Sequence, residues 1–212
     1  AKMLTNKENV EHLVKLSYSL LVSGTLIVAV SMACYSKQIM LLMYDQMPNE
    51  TLLHFTSRID QSSIIFSLLM FSFVAISSNY VIGTLLTANN SMKILNYTAL
   101  GGVIINMGLN IYLIPVYQSV GSAYAGMFAQ VFTAIVQLII ATKIFKFRIN
   151  YSLIVRFMLL ILLLGIGAFG LHYQPELDWK YGLLIMFTGG LGVSFALRLM
   201  NLGELSKILT SK

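Results

Sequence analysis

Ser122, Gly126, Gln130, Thr133 and Gln137 recur at intervals of four, four, three and four, a spacing that puts them on one face of a helix. Thr98, Gly102, Asn106 and Asn110 form a second stripe of the same kind, and Asn79, Gly83 and Thr87 a shorter third one. Amide side chains both donate and accept hydrogen bonds, so such stripes suit a ligand with many hydroxyls. They also suit helix packing inside a membrane, where small residues allow close approach and Asn or Gln bonds across the interface. The spacing alone leaves both readings open. The stripes contain no carboxylate, histidine, cysteine or lysine, so they hold no acid/base pair.

The remaining reactive residues are scattered. Cys34 is the single cysteine, so no disulfide framework forms within the chain. His12, His54 and His172 stand singly, and no Cys/His spacing suggests a metal site. The expectation is a protein that is not an enzyme and uses no cofactor and no metal.

The elements that carry the stripes follow from composition. Of the 212 residues 57% are hydrophobic and only 10% are charged, against about 25% charged in ordinary soluble domains. Mean hydropathy is +0.79. These values point to an all-α, polytopic membrane helix bundle. Each crossing needs about 20 apolar residues, so the gaps between charges mark the spans. They fall near 14–36, with a possible continuation through 38–44, and near 62–88, 94–114, 120–142, 151–172 and 181–199. The 49 residues between Lys93 and Lys143 carry no charge, and Pro115, flanked by Tyr117, Gln118, Ser119 and Gly121, is where two crossings meet. Six transmembrane helices result. Residues 1–147 hold four of them, and 148–212 hold two more and a short cytoplasmic tail.

Lys+Arg exceed Asp+Glu by 14 to 8. In a soluble chain such an excess suggests nucleic acid; here it reports topology, with membrane lipids and no nucleic acid as the partners. With the N-terminus inside, the cytoplasmic side holds Lys2, Lys7, Lys15, Lys93, Lys143, Lys146, Arg148, Arg156, Arg198, Lys207 and Lys212. The other side holds Lys37, Arg58 and Lys180, and an acidic loop over 45–60 with Asp45, Glu50 and Asp60. Both termini of the segment are thus expected in the cytoplasm. Arg58 and Asp60 read as solvated. Tyr18, Tyr35, Tyr44, Tyr112, Tyr117, Tyr151 and Trp179 fit an interfacial aromatic belt. Gly165, Gly167, Gly170, Gly189, Gly190 and Gly192 read as packing faces. The chain begins with Ala and has no signal-peptide pattern, so it reads as a piece of a longer protein.

Asn106 and Asn110, then Leu113-Ile114-Pro115, a short uncharged loop, and Gly121-Ser122-Ala123-Tyr124-Ala125 resemble a signature of polysaccharide flippases. These belong to the multidrug/oligosaccharidyl-lipid/polysaccharide exporter superfamily. Residues 39–44 look like the end of that family's ninth helix, and 83–93 look like its small-residue exit into a basic cytoplasmic turn. The resemblance covers roughly 10–147, while 150–212 matches only as two further apolar helices. It departs in having no proline in 21–26 and Ser122 where the family has Ala.

The resemblance implies helices nine to fourteen of a fourteen-helix transporter, the C-terminal lobe. The missing N-terminal lobe would be a partner, and the substrate an undecaprenyl-linked sugar, moved across the bacterial cytoplasmic membrane for capsule or O-antigen synthesis. Asn79, Asn106, Asn110, Ser122, Gln130, Thr133 and Gln137 are the candidates to face such a substrate. Gly121, Ala125 and Gly126 are the candidates for close helix packing. A signature shared irrespective of cargo also suits packing for Asn106 and Asn110. Alternatives of the same superfamily are a lipid II flippase or a multidrug/cation antiporter; outside it, a membrane scaffold that transports nothing.

Overall fold

The computed structural model describes residues 7–147, 150–172 and 178–200. Among these there are six helices and no strand: α1 Lys7–Cys34, α2 Ser36–Met43, α3 Leu52–Ala88, α4 Met92–Phe145, α5 Tyr151–His172 and α6 Trp179–Ala196. Four stretches are long and apolar enough to cross a membrane: Glu11–Cys34, Leu52–Ala88, Met92–Phe145 and Tyr151–Leu171.

The expected count of six spans is therefore reached only in part. Two of the expected spans are arms of α4. At 1.5 Å per residue its 54 residues would reach roughly 80 Å if straight, far beyond a hydrocarbon core of about 30 Å. Instead the helix breaks at Gln118, with φ 50 and ψ −127. The sixth expected span, α6, has 18 residues that include Lys180 and four glycines, and it falls outside the four apolar stretches.

The side-chain contacts define how the helices run. Tyr18 of α1 bonds Ser78, and Lys37, in α2 just past the end of α1, pairs with Asp60, so α1 and α3 are antiparallel. Ser19 reaches the carbonyl of Leu199 and Tyr35 packs on Gly182, so α1 and α6 are antiparallel too. Gly167 lies against Met186 and Gly190 against Leu164, which makes α5 and α6 antiparallel in turn. The core is in two pieces. Leu26, Ile27, Leu160, Leu164 and Leu199 join α1, α5 and the end of α6; Ile82, Leu86 and Ala141 join α3 to α4. α5 and α6 pack chiefly on α1 and on each other.

One end of the bundle collects Lys15, Lys93, Lys143, Lys146, Arg156 and Arg198 with the acid Glu11, while the side chain of Lys7 lies outside the described residues. The other end holds Lys37, Arg58 and Lys180 with Asp45, Glu50, Asp60 and Asp178. Lys2, Arg148, Lys207, Lys212 and the side chain of His172 lie outside the described residues.

Several local expectations change. The acidic loop is shorter than 45–60, because α3 starts at Leu52, where the Thr51 side chain accepts a hydrogen bond from the His54 backbone N–H. Arg58 is not simply solvated. Its guanidinium donates to both carboxylate oxygens of Glu50, at 3.0 and 2.8 Å, and to the Asp45 carbonyl, and it lies over the rings of Tyr44 and Phe55. That fork clasps the loop onto the first turns of α3. Tyr18 leaves the expected aromatic belt: it turns inward, accepts a hydrogen bond from Ser78 and meets Phe157 edge to face.

Of the six glycines read as packing faces, only Gly167 and Gly190 are packed among the described residues. Gly165, Gly170, Gly189 and Gly192 have nothing within 4 Å of where a Cβ would sit. Residues one and two positions from Gly190 cannot share its side of a helix, so only one of that trio meets α1.

Candidate functional site: the polar seam of the α4 hairpin

The two arms of α4, 92–117 and 119–145, fold back on each other. A Cβ on Gly121 would meet the backbone of Leu113, with its carbonyl carbon 2.7 Å away. Farther down, Gly126 lies 4.0 Å from the Asn106 amide nitrogen, Gly102 would touch the Thr133 hydroxyl at 2.5 Å, and Gln137 reaches Thr98 at 3.5 Å. These contacts form an antiparallel ladder. The chain stays helical for two residues past Pro115 and reverses at Gln118, inside the flank expected from Tyr117, Gln118, Ser119 and Gly121. The φ and ψ of Gln118 are those of the first central residue of a type II′ turn, a place usually held by Gly.

The ladder brings the two long stripes together. Asn110 Nδ2 donates to Asn106 Oδ1 at 2.7 Å, one turn apart on the first arm. Gln137 Nε2 donates to Thr98 Oγ1 from the second arm to the first. Thr133 sits opposite Gly102, and its hydroxyl donates to the Ala129 carbonyl. The third stripe joins from α3: Asn79 Nδ2 donates to Gln130 Oε1 at 3.2 Å and to the Gln130 carbonyl at 3.4 Å. Ser122 is exposed and stands apart from these pairs. Gly121 and Ala125 are buried, Ala125 completely.

The pairs do not satisfy every amide. Asn79 Oδ1, Asn110 Oδ1 and Gln137 Oε1 are buried and accept no hydrogen bond. An unmet acceptor in an apolar setting costs about 1–3 kcal/mol, so each calls for a reason. Gln137 is 5% exposed and shut between the arms. Asn79, Asn106, Asn110, Gln130 and Thr133 are half-buried as residues, although the unmet oxygens of Asn79 and Asn110 are themselves closed off. The arrangement offers fixed carbonyl acceptors and amide donors with no charge between Lys93 and Lys143. Amide and hydroxyl groups of this kind form hydrogen bonds with hydroxyls wherever a ligand reaches them.

Sequence reasoning missed a second polar seam. Along α1, Ser19, Ser23, Ile27, Ser31 and Tyr35 follow one another at intervals of four. Ser19, Ile27 and Tyr35 meet Leu199, Gly190 and Gly182 in turn, an antiparallel register. Ser23 and Ser194 are both fully buried there. The four-residue spacing of small residues was the available signal. Thr25 and Ser77, whose hydroxyls lie 2.9 Å apart, similarly tie α1 to α3.

Compared with protein-family models, with curated proteins and with solved structures, the chain gives no match.

Proposed function

We propose that this chain is the C-terminal half of a flippase that carries a lipid-linked oligosaccharide across the bacterial cytoplasmic membrane for surface polysaccharide synthesis. The observation that carries the reading is the α4 hairpin. Residues whose pattern resembles the exporter signature fold into one tight helical reversal, and its polar seam keeps buried amide oxygens without partners. Sugar hydroxyls are the class of ligand that such acceptors would take.

In this reading α1, α3, the two arms of α4, α5 and α6 are six crossings, with the end rich in Lys and Arg in the cytoplasm. The missing N-terminal lobe covers the hairpin's outer side, where Ser122, Ile111 and Tyr112 are exposed. The sugar passes between the lobes, exchanging water for amide groups on one side and amide groups for water on the other. No bond is made or broken.

Two experiments test this. In the bacterium that encodes the chain, deleting its gene should remove surface polysaccharide and leave undecaprenyl-linked oligosaccharide in the inner leaflet, measured by extraction and chromatography. Unchanged surface polysaccharide would refute the assignment. For orientation, on a Cys34→Ser background, an impermeant maleimide should label Ser119→Cys in intact cells and spare Asn90→Cys and Lys146→Cys. Labelling of Asn90→Cys from outside would invert the topology.

A further inference from the structure

Two cavities meet at the basic end of the bundle. One, of about 460 Å³, lies between α1, α3, the second arm of α4 and α5, with Tyr18, Ile82, Leu138, Phe157 and Met158 among its apolar walls. The other, of about 320 Å³, is lined by Lys15, Arg156 and Arg198. Lys15, Asn150 and Leu153 belong to both, so the apolar space opens directly onto the cationic one.

Among the described residues the three cations are only partly matched by acids. Lys15 pairs with Glu11 at 2.5 Å, one helical turn away. Arg156 and Arg198 form no ion pair with any described residue. Arg198 also occupies a costly place. It follows the end of α6 in the left-handed conformation, φ 55, which glycine fills most cheaply. The conformation is held by the Leu199 N–H donating to the Ser194 carbonyl and by the Ser19 hydroxyl donating to the Leu199 carbonyl. The fold thus places an arginine at the lining of this cavity in a backbone conformation where a side chain is disfavoured.

We propose that this end of the bundle binds an anionic phospholipid, with its phosphate among Lys15, Arg156 and Arg198 and an acyl chain in the apolar groove between α1, α4 and α5. A guanidinium pair matches the fork of phosphate oxygens. A basic pocket between membrane helices beside an apolar groove suits an acidic headgroup, whereas a zwitterionic lipid brings an ammonium that the three cations repel. The inference requires the bundle to sit in a bilayer. It does not require sugar transport, so the two can fail separately.

The test uses the purified full chain in dodecyl maltoside, titrated with dioleoyl-phosphatidylglycerol, dioleoyl-phosphatidylcholine or inorganic phosphate and read by native mass spectrometry. The phosphatidylglycerol should bind at least tenfold more tightly than the phosphatidylcholine. The double variant Arg156→Gln/Arg198→Gln should lose about 30-fold in affinity for phosphatidylglycerol, the effect of two surface-adjacent cations, and keep its affinity for phosphatidylcholine. Arg156→Lys/Arg198→Lys should retain most of the preference. Thr142→Phe, which fills the groove wall, should weaken phosphatidylglycerol binding with both arginines in place. Equal binding of the two lipids overturns the proposal, as does a folded double variant that still prefers phosphatidylglycerol. Inorganic phosphate binding as tightly as the lipid would remove the groove from the site. If the double variant does not fold, the Thr142→Phe result decides: unchanged affinity refutes the acyl-chain placement.

Discussion

Replacing Gly121 with Ala adds one methyl group where the hairpin has no room. The new Cβ would sit 2.7 Å from the Leu113 carbonyl carbon and 3.1 Å from the Ile114 nitrogen, both backbone atoms of the opposing arm. Backbone cannot rotate out of the way as a side-chain tip can. The arms must separate near the turn, and the shift is passed down the ladder to the Gly126–Asn106 and Gly102–Thr133 contacts. Overpacking of this kind costs about 1–3 kcal/mol, and the rigidity of the clashing atoms places Gly121→Ala toward the upper part of that range. Gly108 is the matched control, on the same hairpin with nothing within 4 Å of its Cβ position. Gly108→Ala should be neutral or stabilising by up to about 1 kcal/mol through helix propensity. Both variants can be unfolded by dodecyl sulfate in mixed micelles and followed by far-ultraviolet circular dichroism. Equal unfolding midpoints for Gly121→Ala and the parent chain would show that the arms do not touch at Leu113.

At the reversal itself, Gln118→Gly should stabilise the hairpin by about 1 kcal/mol in the same assay, since glycine adopts φ 50 and ψ −127 without strain; a loss of stability would argue against the type II′ geometry. For Asn79 and Gln130, alanine at each position and at both should give a double-mutant coupling of about 0.6 kcal/mol, typical for hydrogen bonds between membrane helices. Zero coupling would separate α3 from the second arm at this level. The loop clasp should respond to acid. The hydrogen bonds from Arg58, and then the one from the Met47 backbone N–H, hold the Glu50 carboxyl below its ordinary range. A depressed carboxyl contributes stability above its unfolded value and loses it as the pH falls through its folded value. A spin label at Gln46→Cys, on a Cys34→Ser background, should therefore stay immobile through the ordinary carboxylate range and loosen only at lower pH, while Arg58→Ala frees it at neutral pH.

Charge gaps were enough to locate most of the helices, because a bilayer tolerates few charges and the chain places Lys and Arg at helix ends. α5 occupies Tyr151–His172, where the gap puts a span at 151–172. The same rule failed at 52–60, where His54, Thr56, Ser57, Arg58 and Asp60 disguise a nine-residue extension at the start of α3. A cap at Thr51 and the Arg58–Glu50 fork support that extension, and neither is a matter of hydropathy. Helical spacing likewise grouped the polar residues of the hairpin into stripes, and several of their members meet: Asn106 with Asn110, Thr98 with Gln137, and Asn79 with Gln130. It could not say which faces meet. Gln137 is enclosed by Thr98 while Ser122 is open, although the stripe treats them alike, because exposure depends on the position of the first arm. Nor can spacing tell Gly190, pressed on Ile27, from Gly189 beside it, which meets nothing.

The seam between α1 and α6 has a consequence for synthesis. Ser19 and its partner Leu199 are separated by 180 residues, whereas the arms of α4 close on neighbours. At roughly 5–20 residues per second, on the order of 9–36 s pass between the emergence of the two ends. For much of that interval the face of α1 that α6 will cover lacks α6, and α5 is the element of this chain that already packs beside Ile27. A serine-lined groove facing lipid for that long is open to any other helix with small residues, a chaperone's or another copy's. The last helix must then displace such a guest, and truncations before Trp179 should leave α1 captured by neighbours.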